Sequence, residues 1–213
     1  MLTDERISVF IRSLDRDFPP FLEEIYRRAE EGGIPVVQRE TAAFLSAMVR
    51  IKKPGRILEI GTAVGFSSLL MAAAADESCR IVTLENYRKH ADMAAENFEK
   101  SGMADRITMI FNDADETLDK LEGSFDLVFM DAAKAQYIHF LPKVKRLMKP
   151  GSILIADNVF SDGDVLESRF AVRRRDRTIH KRLREYLLAV KSDEQLETAV
   201  LPVGDGVTLS VML

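Results

Sequence analysis

Two aspartates, an asparagine and a lysine are the residues of this sequence whose types and spacing best suit chemistry. Asp131 follows the apolar run 125–130, Lys134 comes shortly after it, and Asp157 and Asn158 follow the apolar run 152–156. Oxygen ligands with no histidine or cysteine nearby suit a hard cation such as Mg²⁺, which keeps positions open for water or substrate. Lys134, one helical turn beyond Asp131, can point at the same site and act as a base, because a neighbouring cation lowers the pKa of an amine. An Asp-Asn pair alone is more typical of a turn or a helix cap, but the four residues together favour a metal site.

A glycine-containing loop follows an earlier apolar run. Residues 56–65 read Arg-Ile-Leu-Glu-Ile-Gly-Thr-Ala-Val-Gly, in which Gly61 and Gly65 allow a ligand to lie against the backbone. The spacing differs from the nicotinamide-type G-x-G-x-x-G loop, and Phe66 after Gly65 excludes a Walker loop. A tight turn without any ligand is the alternative. Glu59 just before the loop favours a ligand with a cationic or hydroxyl-rich end, such as S-adenosylmethionine.

An acidic residue also lies at the end of each of the next two apolar runs. Glu85 ends the run 80–85, in the place of the acid that binds ribose hydroxyls in nucleotide-binding βαβ folds. Asp113, after the run 106–111, could accept a hydrogen bond from an exocyclic amine such as that of adenine. A helix N-cap or a solvated turn is the alternative for either acid.

The elements that must position these residues alternate between strands and helices. Predicted strands at 56–60, 80–85, 106–111, 125–130 and 152–156 are separated by predicted helices at 67–75 and 87–101, a short one after 111, and 137–148. Such alternation is typical of parallel βαβ units. The runs 196–203 and 207–213 flank Gly204-Asp205-Gly206, which predicts a closing antiparallel hairpin. Helices at 4–14, 18–31 and 39–50 are predicted to cap one side.

Composition suggests one globular domain. The chain has 213 residues, of which 46% are hydrophobic and 30% charged. No apolar run approaches the length of about 18 residues typical of a membrane helix, the amino terminus does not resemble a signal peptide, and Cys79 is the single cysteine. We therefore expect a cytoplasmic protein that does not associate with membranes.

These motifs resemble those of the cation-dependent O-methyltransferases of the catechol and caffeoyl-coenzyme A type. The resemblance covers nearly the whole chain and rests on residues 59–67, Leu84-Glu85, Asp113-Ala114, residues 131–137, Asp157-Asn158 and residues 202–206. It implies a class I methyltransferase fold, an α/β Rossmann-like, seven-stranded and mostly parallel sheet. A single domain would then contain a helical cap (1–52) and a catalytic core (53–213). Phe140, where many members have a second tyrosine, and the lack of tryptophan are departures that concern the acceptor.

The resemblance also implies roles for individual residues. The residues around S-adenosylmethionine would be Val36, Glu59, Gly61, Ser67, Glu85, Asp113, Ala114 and Asp131. Asp131, Asp157 and Asn158 would hold the metal, and Lys134 would be the catalytic base. Since relatives are commonly dimers, a homodimer formed through the amino-terminal helices is expected.

A basic segment follows the Asp-Asn pair. Residues 169–184 carry eight Lys/Arg and one Asp, a local charge of +7 in a chain whose net charge is −4. Such a cluster is typical of polyanion binding, and arginine suits phosphate groups and stacking on bases. The predicted RNA-binding residues are Arg169, Arg173, Arg174, Arg175, Arg177, Lys181 and Arg182. The alternative is a solvated helix face.

The acceptor that we predict is 5-hydroxyuridine at the wobble position of tRNA, because the chain resembles a bacterial branch of the family that methylates this nucleoside. The chain is similar to that branch in length and in its basic segment, and the 5-hydroxyl and 4-carbonyl oxygens form a chelating pair like that of a catechol. An anticodon loop can also present a splayed base. The alternatives are a small catechol-like or caffeoyl-type acceptor, and an RNA-binding or cofactor-sensing module that has lost turnover.

Overall fold

A computed structural model describes residues 5–14 and 16–213. The helices are α1 (Glu5–Leu14), α2 (Pro20–Glu31), α3 (Arg39–Lys52), α4 (Phe66–Ala74), α5 (Arg88–Ser101), α6 (Ala114–Lys120), α7 (Tyr137–Arg146) and α8 (Arg177–Ser192). The strands are β1 (Arg56–Ile60), β2 (Arg80–Glu85), β3 (Ile107–Phe111), β4 (Phe125–Met130), β5 (Met148–Ala156), β6 (Leu196–Leu201) and β7 (Val207–Met212).

The strands form one seven-stranded sheet in the order β3-β2-β1-β4-β5-β7-β6. Strands β1 to β5 are parallel, and β7 pairs antiparallel with both β5 and β6. The α/β Rossmann-like fold with its closing antiparallel hairpin is thus confirmed. Because the chain order reverses at β1 and β4, a crevice is expected beyond the carboxyl ends of these two strands.

Alternating strand residues supply two hydrophobic cores, one on each face of the sheet. Ile57 of β1 belongs to the core under α2 to α5, whereas Leu58 and Ile60 belong to the core under α6 to α8. All three are fully buried. Helices therefore cover both faces, as a parallel sheet requires.

Most element boundaries lie within two residues of the predictions, and the exceptions have local causes. Strand β5 begins at Met148 rather than at residue 152, because Met148 pairs with Phe125 before a register shift. Helix α7 consequently ends at Arg146. Strand β6 ends at Leu201, because Pro202 has no amide hydrogen to donate to the ladder. The predicted start of the first helix at residue 4 lies outside the described residues.

Helix α1 leaves much of its apolar surface uncovered. Its exposed large side chains are Ile7, Val9, Phe10, Ile11 and Leu14. In residues 5–14 and 16–213, no helix is both long enough and apolar enough to cross a lipid bilayer.

Candidate active site

A cavity of about 780 Å³ lies beyond the carboxyl ends of β1, β2 and β4. Its walls contain most of the residues selected from the sequence: Val36, Gly61, Ser67, Glu85, Asp113, Ala114, Asp131, Lys134 and Asn158. Further lining residues that sequence reasoning missed include Gln38, Thr62, Asn86, His90 and Gln136. Thr62 and Gln136 lie within segments whose neighbouring residues were selected, whereas Gln38, Asn86 and His90 belong to no motif and reach the cavity only through the fold.

The loop after β1 requires glycine at its first position. Gly61 has φ +104°, and a Cβ built there would lie 2.0 Å from the carbonyl oxygen of Asp131. The amides of Gly61 and Thr62 donate to the carbonyl of Leu84 at 3.0 and 3.2 Å. The loop therefore passes directly against the end of β4 while remaining tied to β2.

Glu85 is held rigidly at the cavity wall. Its carboxylate accepts hydrogen bonds from the backbone amides of Ala63 (2.8 Å), Asn86 (2.9 Å) and Tyr87 (2.8 Å). Three amide donors fix both oxygens, so the carboxylate can present a defined acceptor edge to a ligand.

Asp113 does serve as a helix cap, which was the alternative for this residue. Its Oδ1 accepts from the amides of Asp115 (2.8 Å) and Glu116 (3.4 Å) at the start of α6. The residue also lines the cavity beside Ala114. Capping and lining the cavity are therefore compatible at this position.

Glu59 is placed differently from the expectation that it contacts the cofactor directly. It is 0% exposed, does not line the cavity, and accepts from the hydroxyls of Ser68 and Thr83, the latter at 2.6 Å. Burial raises its pKa to about 7, although hydrogen bonds from Ser67, Ser68 and Thr83 oppose the rise. Glu59 shares the covered face of β1 with Ile57, which explains why its carboxylate lies beneath α4. Of these partners, Ser67 reaches the cavity.

Asp131, Asp157 and Asn158 meet where β4 and β5 end. The side-chain amide of Asn158 donates to Asp131 Oδ1 at 3.3 Å, and its backbone amide donates to Asp157 Oδ1 at 2.8 Å. Thr41 Oγ1 donates to the same Asp157 oxygen at 3.4 Å. The hydroxyl of Tyr137 donates to the carbonyls of Asp157 (3.0 Å) and Met130 (3.3 Å), which ties the two strand ends together.

The two carboxylates of this group differ in exposure, since Asp157 is buried whereas Asp131 is half-buried at the cavity wall. Burial raises the pKa of Asp131, and burial together with the charge of Asp131 raises the pKa of Asp157 to about 8. Within the described residues neither carboxylate forms an ion pair with lysine or arginine. Oxygen donors that lack a positive partner fit a hard divalent cation, and rotation of the Asn158 amide would present its oxygen to one. No place in the described chain gathers three or more His, Cys, Asp or Glu side chains suited to a metal, so the amide would be needed as a ligand.

Lys134 lies at this end of the cavity, but its nearest acid is not the expected one. Residues 131–133 are not helical, and a short 3₁₀ turn begins at Lys134. Its Nζ lies 3.4 Å from Asp205 Oδ2, in the turn between β6 and β7. The charge of Lys134 still reaches Asp131 and partly opposes the rise in the pKa of that carboxyl.

None of the predicted RNA-binding residues lines the cavity, and they differ in exposure and in hydrogen bonding. Arg169, Arg173, Arg174 and Arg175 are exposed on the loop before α8. Arg177 and Arg182 instead donate to the carbonyls of Val172 (3.2 Å) and Ala135 (3.0 Å), and Lys181 is exposed and pairs with Glu185 at 3.6 Å. The guanidinium groups of Arg177 and Arg182 therefore also hold the local chain conformation, and the contact of all seven residues with RNA stays a prediction.

Known proteins are similar to this chain in sequence and in fold. The chain is similar to catechol O-methyltransferases of Niastella koreensis (34% identity over 143 residues) and Mycobacterium tuberculosis (37% over 131 residues). These matches cover 64% and 61% of this chain, and 65% and 60% of the two relatives. The crystal structure of the SAH-bound methyltransferase PaMTH1 of Podospora anserina superposes with a TM-score of 0.88 at 28% identity, covering 98% of this chain and 94% of that one. The sequence profile of the O-methyltransferase family matches residues 16–213, and the chain belongs to that family.

Proposed function

We propose that this protein transfers a methyl group from S-adenosylmethionine to one hydroxyl of a small acceptor that carries two neighbouring oxygens, as a catechol does. The observation that carries the proposal is a pair of carboxylates without a cationic partner in the described part of the chain, Asp131 at one end of the cavity and the buried Asp157, both hydrogen-bonded to Asn158. The names of the two bacterial relatives support the same acceptor class. The wobble uridine preferred from the sequence has less support than this alternative.

The other end of the cavity would hold the cofactor. Val36, Gly61, Ser67, Glu85, Asp113 and Ala114 line it, and Glu85 offers fixed carboxylate oxygens suited to ribose hydroxyls. When bound, S-adenosylmethionine supplies an electrophilic methyl carbon, and a divalent cation such as Mg²⁺ lowers the pKa of the acceptor hydroxyl. SAH in PaMTH1 supports this assignment by analogy.

The protein side chains would orient the acceptor and remove its proton. Asp131, Asp157 and Asn158 hold the end of the site that receives the two oxygens, and Tyr137 fixes the distance between their strands. Lys134, as the neutral amine, would take the proton of the reacting hydroxyl, and the ammonium so formed would face the Asp205 carboxylate. Binding the cofactor and the acceptor in one cavity supplies much of the rate increase, because the reacting atoms are already close and oriented.

Methyl transfer to matched acceptors tests the proposal. The protein is incubated with methyl-labelled S-adenosylmethionine, Mg²⁺ and either catechol or resorcinol, whose hydroxyls are too far apart to chelate one cation. We expect label in catechol only, loss of transfer in EDTA, recovery on adding Mg²⁺, and no transfer by the Asp157→Ala variant. Equal labelling of both diphenols, or transfer that EDTA does not affect, would contradict the proposal. Absence of transfer under all conditions would favour the binding-module alternative.

The tRNA acceptor remains a second candidate because Arg173, Arg174 and Arg175 are exposed together on one loop. If they contact phosphates, transfer to tRNA containing 5-hydroxyuridine should fall steeply as salt rises. Replacing the three arginines by alanine should then reduce tRNA methylation while leaving catechol methylation unchanged. Failure of tRNA to accept label at low salt would remove this candidate.

We also propose a homodimer, for which the uncovered apolar side chains of α1 provide the supporting surface. Phe10 and Leu14 are more than 60% exposed, and apolar patches of this kind commonly mark interfaces. Sedimentation of the full chain should give a dimer, which Phe10→Glu converts to monomer. Phe170→Glu, at another exposed phenylalanine, is the control and should leave the dimer intact.

A further inference from the structure

The turn between β6 and β7, residues 202–206, makes contacts beyond the closure of a hairpin. The amide of Val159 donates to the Gly206 carbonyl, and the amide of Phe160 donates to the Asp205 carbonyl, both at 3.0 Å. A Cβ at Gly206 would lie 2.3 Å from the ring of Phe160, so the turn and the loop after β5 are in direct contact. The turn therefore supports the loop that follows Asp157 and Asn158.

That loop has an unusual backbone. Asn158, Ser161 and Asp162 all have positive φ values, of 57°, 51° and 55°, although none is glycine. Such conformations are unfavourable for residues other than glycine and persist only where surrounding contacts impose them. The hydrogen bonds from the turn are contacts of this kind.

The side chain of Asp205 connects the loop to Lys134. Its two carboxylate oxygens each lie 2.9 Å from the amide nitrogen of Asp162, and Oδ2 also lies 3.4 Å from Lys134 Nζ. The Asp205 side chain is only 9% exposed and that of Lys134 is 27% exposed, so water screens the pair incompletely. One carboxylate thus holds both the amine and the loop that carries Asn158.

We propose that Asp205 is a positioning residue for Lys134, an inference that builds on the function proposed above. Without the Asp205 carboxylate, the flexible lysine side chain has no fixed place at the acceptor end of the cavity. With it, the amine and the loop after Asn158 share one anchor, so the proton acceptor keeps its position relative to the two oxygens of the bound acceptor. Removing the charge of Asp205 should therefore impair turnover more than cofactor binding.

A matched ion pair elsewhere in the chain provides the control. Asp193 also binds a lysine, Lys145, and a backbone amide, that of Gln195 at 3.0 Å, with side-chain exposures of 20% for Lys145 and 18% for Asp193. Asp205→Asn should lower kcat for catechol about tenfold with the KM for S-adenosylmethionine unchanged, because a displaced base acts on the transition state. Asp193→Asn should leave both constants unchanged. A kcat of Asp205→Asn equal to that of Asp193→Asn would overturn the proposal.

A second readout does not depend on methyl transfer. Acetylation of lysines by an N-hydroxysuccinimide ester, followed residue by residue with mass spectrometry, measures how firmly each amine is held. In Asp205→Asn, Lys134 should react about threefold faster, as expected for losing a partly exposed ion pair, while Lys145 keeps its rate. In Asp193→Asn the reverse should hold. An unchanged Lys134 rate in Asp205→Asn would overturn the proposal even if the parent protein methylated nothing.

The conservative variant guards against a folding defect. Asp205→Glu keeps the charge with a longer side chain, so it should restore part of the turnover and slow the acetylation of Lys134. If Asp205→Glu matches Asp205→Asn in both measurements, the carboxylate does not position the amine. Absence of transfer by the parent protein together with faster Lys134 acetylation in Asp205→Asn would reject the methyltransferase proposal but retain the positioning role.

Discussion

Replacing Asp157 by asparagine should stabilise the metal-free protein while removing its response to Mg²⁺. The folded carboxyl has a pKa of about 8, against an ordinary value of 3.8, first because of burial and then because of the charge of Asp131. The folded state therefore binds the proton more tightly than the unfolded state. The contribution of this carboxyl to the stability of the folded state is fully present below pH 3.8 and is lost as the pH rises towards 8.

The size of the effect at pH 7 follows from this interval. Between pH 4 and 7 the unfolded carboxyl is ionised and the folded one is not, and three pH units at about 1.4 kcal/mol each amount to about 4 kcal/mol. Asparagine avoids this cost but forms weaker hydrogen bonds with Thr41 and the Asn158 amide, a loss of about 1–2 kcal/mol. We expect a net gain of about 2–3 kcal/mol in the free energy of unfolding at pH 7.

Urea unfolding in EDTA, followed by circular dichroism, measures this gain. Excess Mg²⁺ should stabilise the parent protein but not the variant, and the difference in EDTA should shrink at pH 4.5. Asp126→Asn is the control of opposite sign. Although burial raises the pKa of Asp126, Lys149 and the amides of Arg56 and Gly55 lower it below its ordinary value, so this variant should be less stable than the parent. An Asp157→Asn variant less stable than the parent in EDTA at pH 7 would refute the reasoning.

Three further predictions concern the cofactor side of the cavity. In urea unfolding, Gly61→Ala should lower the free energy of unfolding by about 3 kcal/mol more than Gly102→Ala does. Both positions have positive φ, but only at Gly61 would the added Cβ meet the Asp131 carbonyl. Equal losses in the two variants would contradict this. Glu85→Gln should weaken S-adenosylhomocysteine binding about tenfold in calorimetry, because one of the two carboxylate oxygens is replaced. Unchanged affinity would exclude contact between Glu85 and the ligand. Since the pKa of Glu59 rises from 4.5 to about 7, its contribution to stability is lost as the pH rises through this range. The Tm advantage of Glu59→Gln over the parent should therefore be larger at pH 8.5 than at pH 5, and a constant difference would argue against the raised pKa.

The sequence predicted the sheet and the edge at which the site lies, because strand periodicity and strand-end residues are local features. Asp131, Asp157 and Asn158 could be placed together since neighbouring parallel strands end at one edge. The burial of Glu59 could also have been predicted, because a strand covered on both faces buries every side chain. Its interpretation as a ligand contact gave too little weight to that coverage.

Other features depend on contacts between distant parts of the chain. Lys134 meets Asp205 across 71 residues, and although residues 202–206 belong to the family motifs, the sequence does not show that their turn contacts Lys134. The bonds of Arg177 and Arg182 to backbone carbonyls likewise depend on the path of the loop before α8. Charge counting identified the basic segment but could not separate arginines that brace the chain from those that face solvent.

The place of β7 in the sheet has a consequence for synthesis of the protein. This strand is the last in chain order, yet it lies between β5 and β6. During synthesis one edge of β5 stays unpaired until residues 207–212 have emerged from the ribosome. The Asp205 anchor for Lys134 cannot form before then. The glycine loop at residues 61–65 leaves the ribosome much earlier. The lysine anchor is therefore the last part of the site to be completed during synthesis.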